Sequence, residues 1–382
     1  MKRLILLGGG HAHVHVLKAF GAAPPDNTEV TLVAPYHRQV YSGMLPGWIA
    51  GHYELEDCII PLAPLAQQAR ATFEQTAATA IDFAANEVVC VNGKRLGFDV
   101  LSIDIGSVAN VGGIPGAVEH ALAVRPIEDF ITRLGKFKAA LATHAGPPIR
   151  VVVVGAGAGG VEVALAMQHA GARADTRVST CVKRAVDAAP ACTLSIISAS
   201  NTLPGKVGAK ISAALRNADI TLYAGVPASH IHHDAVVLAN GLEIGADLVI
   251  AALGAAAADW PAQSGVACNT QGYILTNSYL QSVSHPNVFA VGDCASMVDH
   301  SRPKSGVYAV RAGPPLATNL LAALSDRPLA PYQPQQRSLY LISTGRKHAI
   351  GSWGPVTWQG EWVWRWKDRI DRAFITKYRS PT

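Results

Sequence analysis

The chain has 382 residues, 35 of them glycine, with 15% charged residues and a formal net charge of +5. Its length exceeds one compact α/β core and suits two nucleotide-binding domains with a small appendage. The glycines and positive mean hydropathy fit buried parallel strands rather than a disordered or fibrous chain. The modest charge, with no Lys/Arg block before the C-terminus, argues against nucleic acid as a partner.

Arg3-Leu4-Ile5-Leu6-Leu7 has a buried-strand pattern and runs into Gly8-Gly9-Gly10-His11-Ala12-His13, then into an apolar-periodic helix through Phe20. The glycines arrive too soon after Met1 for a signal peptide, so a cytoplasmic protein is expected. Val30 to Val33 supplies the second strand of a βαβ unit, and Tyr36 to Tyr53, rich in Gly, Pro and aromatics, reads as a cofactor-facing loop. A second strand–turn–helix begins at Ile149 to Val154 and enters Gly155-Ala156-Gly157-Ala158-Gly159-Gly160-Val161-Glu162. Leu248 to Ala252 and Val288 to Val291 are short strands ending at Gly254 and Gly292, where ligands of open α/β sheets sit. No apolar stretch reaches the ~18 residues that cross a bilayer.

After Pro328 to Gln336, the segments Leu339 to Ser343, His348 to Trp353 and Val356 to Trp358 suggest a small antiparallel sheet, followed by a helix from Trp362 to Arg379. On that helix Trp362, Val363, Trp366, Ile370, Ala373 and Phe374 fall within an arc of about 120°, with Arg365, Asp368, Arg369, Arg372 and Arg379 opposite. Two readings stay open: a closing helix whose apolar face packs on the sheet, or an interfacial anchor.

The second fingerprint is complete. Gly155 allows the tight turn, Gly157 the close approach of backbone to a pyrophosphate, and Gly160 the helix–strand contact. In the first, His13 takes the third glycine position, which should push helix from strand. His11, His13 and His15 do not share a helical face, so they argue against a metal cluster and can be read as polar residues on an exposed face. Val33 is followed by Ala34-Pro35 rather than the acid that would hold a ribose. Arg38 can contact a diphosphate or adenosine, or simply face solvent. Asp293, just past a strand, can accept from ribityl hydroxyls, a role compatible with capping a following helix. Cys58, Cys90, Cys181, Cys192, Cys268 and Cys294 contain no C-x-x-C or C-x-x-x-x-C pair.

The order of Gly8 to His13, Leu101-Ser102-Ile103-Asp104-Ile105-Gly106-Ser107, Gly155 to Glu162, Gly254 and Gly292-Asp293 resembles the two-dinucleotide-domain flavoproteins, in particular the branch of type II NADH dehydrogenases and sulfide:quinone oxidoreductases. More narrowly, Gly8 to Val14, Tyr41 to Gly47 and Lys304 to Arg311 resemble pyridine nucleotide-disulfide oxidoreductase-like proteins fused to, or encoded beside, selenide, water dikinase. The resemblance covers nearly the whole chain. It implies an α/β fold with two Rossmann-like dinucleotide-binding domains and a small C-terminal α+β segment. The FAD domain would comprise 1–120 and 271–327, the NAD(P) domain 121–270, and the small sheet and amphipathic helix 328–382.

By the same resemblance Gly8, Gly9, Gly10, His11, Ala34, Arg38, Gly106, Gly292, Asp293 and Gly306 would border FAD, with Tyr41, Ser42 and Gly43 near the flavin. Gly155, Gly157, Gly160 and Gly254 would border NAD(P)H, with Glu162 near its carboxamide. Lys304 and Val307 would lie at the pyrimidine end of the isoalloxazine, and Glu162 and Lys304 are the expected catalytic side chains. No metal is expected. Hydride would pass from nicotinamide to FAD and electrons then to an acceptor, a quinone by the resemblance. Peripheral membrane contact and a functional link to selenide, water dikinase are further expectations.

Two departures matter. Ala172 to Ala191 is longer than a normal helix-to-strand connection. If Thr193 to Ile197 is the following strand, it ends in Ser198-Ala199-Ser200 without the acid that favours NADH; if Arg177 to Val182 is that strand, Lys183 and Arg184 could meet a 2′-phosphate. The paired cysteines of disulfide reductases and sulfide oxidoreductases have no visible match. The alternatives are a sulfide- or selenium-compound oxidoreductase and a non-catalytic nucleotide-binding regulator.

Overall fold

In the computed structural model, which describes residues 1–142, 144, 146–177, 192–203 and 205–379, two parallel five-stranded sheets carry the two glycine turns. The first runs in the order Val288–Ala290, Val100–Ile103, Lys2–Leu7, Thr28–Ala34, Thr72–Gln75. The second runs Ala121–Ala123, Leu248–Ala251, Ile149–Val154, Cys192–Ser198, Thr221–Ala224. In each sheet the strand that enters the glycine turn is central, paired on both sides: Leu4 faces Val30 and Val100, and Val151 faces Leu194 and Leu248. Leu4 to Leu7 and Val151 to Val154 are buried because layers cover both faces, which is why these strands read as unbroken apolar runs.

The Cys192–Ser198 strand pairs in parallel with Ile149–Val154, in line with the reading that ends in serines rather than an acid. Arg177 closes the Ala158–Arg177 helix, and the rest of the competing strand lies outside the described residues, as do Lys183 and Arg184. Tyr36 to Tyr53 is more ordered than a loop: Arg38–Val40 pairs antiparallel with Ile59–Pro61, and Leu45–Ile49 is helical.

The first turn corrects the sequence reading of its histidines. His13 is fully buried beneath the His11–Ala22 helix rather than on an exposed face. Its Nδ1 lies 2.7 Å from the Gly8 carbonyl, which can only accept, so Nδ1 carries the proton and Nε2 accepts from the Ser102 hydroxyl at 2.8 Å. Burial pushes this imidazole down to about 4, consistent with the neutral tautomer. An imidazole therefore bonds helix to strand where Gly160 of the second turn achieves contact by having no side chain; a Cβ there would stand 1.9 Å from the Gly155 carbonyl oxygen. His15 is half-buried, with Nδ1 3.1 Å from the Tyr378 hydroxyl.

The C-terminal segment is an antiparallel sheet of Leu339–Ser343, Ala349–Trp353 and Val356–Gly360 followed by the helix Glu361–Arg379. Its buried edge is Val363, Trp364, Lys367, Asp371, Ile375 and Tyr378, whereas Trp362, Trp366 and Ile370 are 54, 39 and 40% exposed. The expected apolar arc is thus turned partly outward. The reason is polar: Lys367 and Asp371 reach the Tyr41 to Gly43 segment and fix the helix on that edge.

Replacing His13 by alanine strands the Gly8 carbonyl and the Ser102 hydroxyl beside a new void, at a cost of roughly 2–4 kcal/mol. The expected outcome is a lower urea midpoint for His13→Ala, and an unchanged midpoint contradicts the bridging role.

Candidate functional site

At the carboxyl end of the first sheet lies a cavity of about 520 Å³. Gly8, Gly9, Gly10, His11, Ala34, Arg38, Ser42, Gly106, Asp293 and Gly306 all line it. Gly8 has φ +98°, and a Cβ there would stand 2.3 Å from the Asp104 carbonyl oxygen, so the chain crosses the neighbouring strand end only as glycine. At Gly106, φ +73°, a Cβ would meet nothing within 4 Å, leaving backbone open to a ligand.

Asp104, present in the sequence motif without an assigned role, caps the His11–Ala22 helix by accepting from the Ala12 and His13 amides at 2.8 and 3.2 Å. A Cβ on Gly10 would strike this carboxylate at 2.2 Å. Burial pushes Asp104 up to about 7 against the pull of the two amides. Asp293 lies in a turn, Gly292–Cys294, that leads into the strand Ala295–Met297, so it caps no following helix. Its Oδ2 instead accepts from Arg125 Nη1 at 2.9 Å, and Arg125 also bonds the Ser107 hydroxyl. Arg38, expected free for a diphosphate, is held at the cavity wall by Glu128 at 2.9 to 3.1 Å. Sequence reasoning missed Arg125 and Glu128, because they come from a segment that only the fold brings to the cavity.

The cavity fits an elongated dinucleotide. Its glycines leave backbone bare, the first helix starts there, and two buried polar atoms beside it, Thr76 Oγ1 and His11 Nε2, lack partners. The second turn repeats the geometry: Gly155 has φ +112° with its would-be Cβ 2.4 Å from the Ala252 carbonyl oxygen, and Gly157 and Gly254 are open.

Other expected residues sit elsewhere. Lys304 donates to the Ala295 carbonyl, lies 4.0 Å over the Tyr273 ring, and borders a smaller neighbouring cavity with Gly292 and Asp293. Val307 is half-buried in the first turn of the Gly306–Leu324 helix and lines neither cavity. Glu162 Oε1 accepts from the Ser343 amide at 2.8 Å, under the C-terminal sheet. Burial pushes Glu162 up to about 7, while the Lys367 charge and that amide pull it back.

Lys367 and Asp371, which the helical wheel left unassigned, join the loop behind the cavity. Lys367 Nζ donates to the Gly43 carbonyl and to Asp371 Oδ2, each at 2.6 Å, and Asp371 accepts from the Tyr41 hydroxyl. The Tyr41 ring stacks on Phe374 at 4.4 Å. Glu162, Lys367, Asp371 and Tyr41 thus gather where the two sheets' units meet the C-terminal segment.

The described cysteines are all unpaired, and burial pushes the Cys192 and Cys294 thiols up to about 11 and 12. Neither is prepared for thiolate chemistry. Cys181 lies outside the described residues.

Residues 2–313 match the pyridine nucleotide-disulphide oxidoreductase family. A demethylphylloquinone reductase from Synechocystis is 27% identical over 361 residues, spanning 90% of this chain and 85% of its own. A type II NADH:quinone oxidoreductase from Staphylococcus epidermidis is 25% identical over 374 residues, 92% of this chain and 89% of its own. Among solved structures, the sulfide:quinone oxidoreductase of Aquifex aeolicus superposes with a TM-score of 0.79 at 20% identity, covering 99% of this chain and 92% of that one. NDH2 from Plasmodium falciparum in complex with NADH gives 0.78 at 16% identity, covering 99% of both. The disulphide in the family name has no counterpart among the described cysteines. With two parallel sheets ending in dinucleotide turns and a match over most of its length, the chain belongs to the pyridine nucleotide-disulphide oxidoreductase family and is an oxidoreductase that uses FAD and NAD(P)H.

Proposed function

We propose that this protein is an NAD(P)H:quinone oxidoreductase, with FAD at the first turn, the nicotinamide dinucleotide at the second, and the acceptor reached beside the terminal helix. The observation that carries the reading is the double role of that helix. Its buried edge bonds the Tyr41 to Gly43 loop at the first cavity, while its outer edge exposes Trp362, Trp366 and Ile370. The names of the Synechocystis and Staphylococcus relatives support the same acceptor class.

Bound FAD supplies the two-electron chemistry, and the chain supplies position and charge. The bare Gly8 to Gly10 backbone leading into the His11–Ala22 helix, whose Ala12 and His13 amides are held by Asp104, would hold the pyrophosphate, with Asp293, fixed by Arg125, toward the ribityl chain. Gly155, Gly157 and Gly160 would hold the second dinucleotide. Quinone reduction consumes protons, and the Lys367 ammonium, bonded to the Gly43 carbonyl, and Glu162, pushed up to about 7 beneath the C-terminal sheet, are placed to hold them.

A lipid-soluble acceptor calls for a lipid-facing surface. Trp353 and Val356, each 58% exposed, add to the exposed tryptophans of the helix, which Arg365, Arg369 and Arg372 flank. Trp362 and Trp366 stack at 6.4 Å. Indoles favour the headgroup region and arginines favour anionic lipid, so this edge suits peripheral docking. No described helix is long and apolar enough to cross a membrane. The resemblance of Tyr41 to Gly47 and Lys304 to Arg311 to proteins encoded beside selenide, water dikinase supports one further proposal, a functional link to that enzyme.

Anaerobic NADH or NADPH is expected to bleach the flavin absorbance of the FAD-loaded protein, and added quinone to restore it; if neither nucleotide bleaches it, the reading fails. Because the terminal helix also packs against the fold, its surface is best tested in place. The double variant Trp362→Ser, Trp366→Ser should lose cosedimentation with anionic vesicles while still turning over a water-soluble quinone. Undiminished vesicle binding contradicts the docking surface.

A further inference from the structure

In a dinucleotide-binding βαβ unit, a carboxylate at the end of the second strand accepts from the ribose hydroxyls of the adenosine. Here that strand, Thr28–Ala34, ends on a buried alanine followed by Pro35, and both residues line the first cavity. The strand end therefore offers a ribose no side-chain acceptor. Among the described residues three acids line the cavity, Asp104, Glu128 and Asp293. Asp104 is committed to the Ala12 and His13 amides. Asp293 follows Val288–Ala290, the edge strand, which two strands separate from Thr28–Ala34, and it is held there by Arg125.

Glu128 is on the required side. Arg38 Nε donates to both of its oxygens at 3.1 Å and Nη2 to Oε2 at 2.9 Å, while the Tyr36 hydroxyl donates to Asp129 at 3.3 Å. The residues just past Ala34-Pro35 are thus tied to the first turn of the Ile127–Ala142 helix. The Glu128 side chain keeps 11% exposure, so it is reachable from the cavity. A carboxylate has about four lone-pair sites, and a single arginine on one side leaves acceptors over. Because the guanidinium is already neutralised by its partner, the pair presents oxygen acceptors to hydroxyl donors and little charge to a phosphate.

We propose that Glu128, oriented by Arg38, is the ribose-binding acid of the first cavity, its carboxylate accepting from the 2′- and 3′-hydroxyls of the adenosine half of FAD. The inference rests on the placement of FAD at the first turn and names a contact that this placement does not contain. Glu128 follows Ala121–Ala123, an edge strand of the second sheet, so the acid absent from the first unit is returned to it by a segment anchored in the second. The adenosine end of the cofactor is then held across the junction of the two sheets' units, as Arg125 from the same segment holds Asp293.

The test strips the full chain of flavin and titrates it with FAD and with the FAD analogue whose adenosine is 2′,3′-dideoxy, reading Kd from the change in flavin fluorescence. Wild-type protein is expected to bind FAD about tenfold more tightly than the analogue. In Glu128→Met, which keeps the side-chain volume and removes both acceptors, the two Kd values should converge to within about twofold, with FAD weakened and the analogue little affected. A tenfold preference that survives in Glu128→Met overturns the proposal, and so does an equal loss for both ligands, the result expected if Glu128 only props the wall through Arg38. If Glu128→Met does not fold, the double variant Arg38→Met, Glu128→Met, which leaves no unpaired guanidinium, makes the same comparison. Wild-type protein that binds FAD and the analogue equally overturns this proposal alone, whereas wild-type protein that binds neither overturns the placement of FAD and this proposal with it.

Discussion

The site depends on one buried contact, the Lys367 ammonium held between the Gly43 carbonyl and the Asp371 carboxylate. Both side chains are buried, where charges lose their water and are tolerated only when hydrogen bonds replace it. Here the replacement is nearly complete: two bonds on Lys367, and on Asp371 the Tyr41 hydroxyl as well. Such a pair adds little net stability over an apolar substitute, while loss of one partner leaves an uncompensated charge worth about 3–5 kcal/mol. What the pair supplies is register. It decides which edge of the terminal helix faces the first domain, and so places Phe374 against Tyr41 and turns Trp362, Trp366 and Ile370 outward.

The rest of the molecule follows a common plan in its two halves and departs from it in one. Gly8 and Gly155 both cross a neighbouring strand end with positive φ, at Asp104 and Ala252 respectively. In the second half Gly160 closes helix onto strand by contact; in the first, His13 does so by hydrogen bonds to Gly8 and Ser102, and Asp104 caps the helix. Side chains thus do in the first half what bare backbone does in the second. That raises the cost of error there, because each of these polar groups is buried and has a named partner to lose.

What could be read from the sequence was what is local. The turns at Gly8 to Gly10 and Gly155 to Gly160, the valine strand before the second, and the three short strands before Trp362 each announce themselves within a few residues. What could not be read was supplied by distant pairing. Arg125 meets Asp293 from 168 positions away, and Glu128 takes Arg38 from 90. The helical wheel of the last helix failed for the same reason: hydrophobicity alone chose the arc from Trp362 to Phe374, whereas a lysine and an aspartate with partners near residue 41 chose the buried edge. His13 was misjudged because a histidine in a glycine slot looks like an intrusion until Ser102 is seen across from it.

The central claim is that the two dinucleotide turns serve the nicotinamide step and the terminal helix serves the acceptor step. Double-mixing stopped flow on Lys367→Met separates them, with flavin reduction by NADH followed first and reoxidation by quinone second. The account predicts that reoxidation slows far more than reduction, since the hydrogen bonds of Lys367 go to Gly43 and to Asp371, which holds Tyr41, on the acceptor side proposed for the terminal helix. Equal slowing of both steps, or slowing of reduction alone, contradicts it.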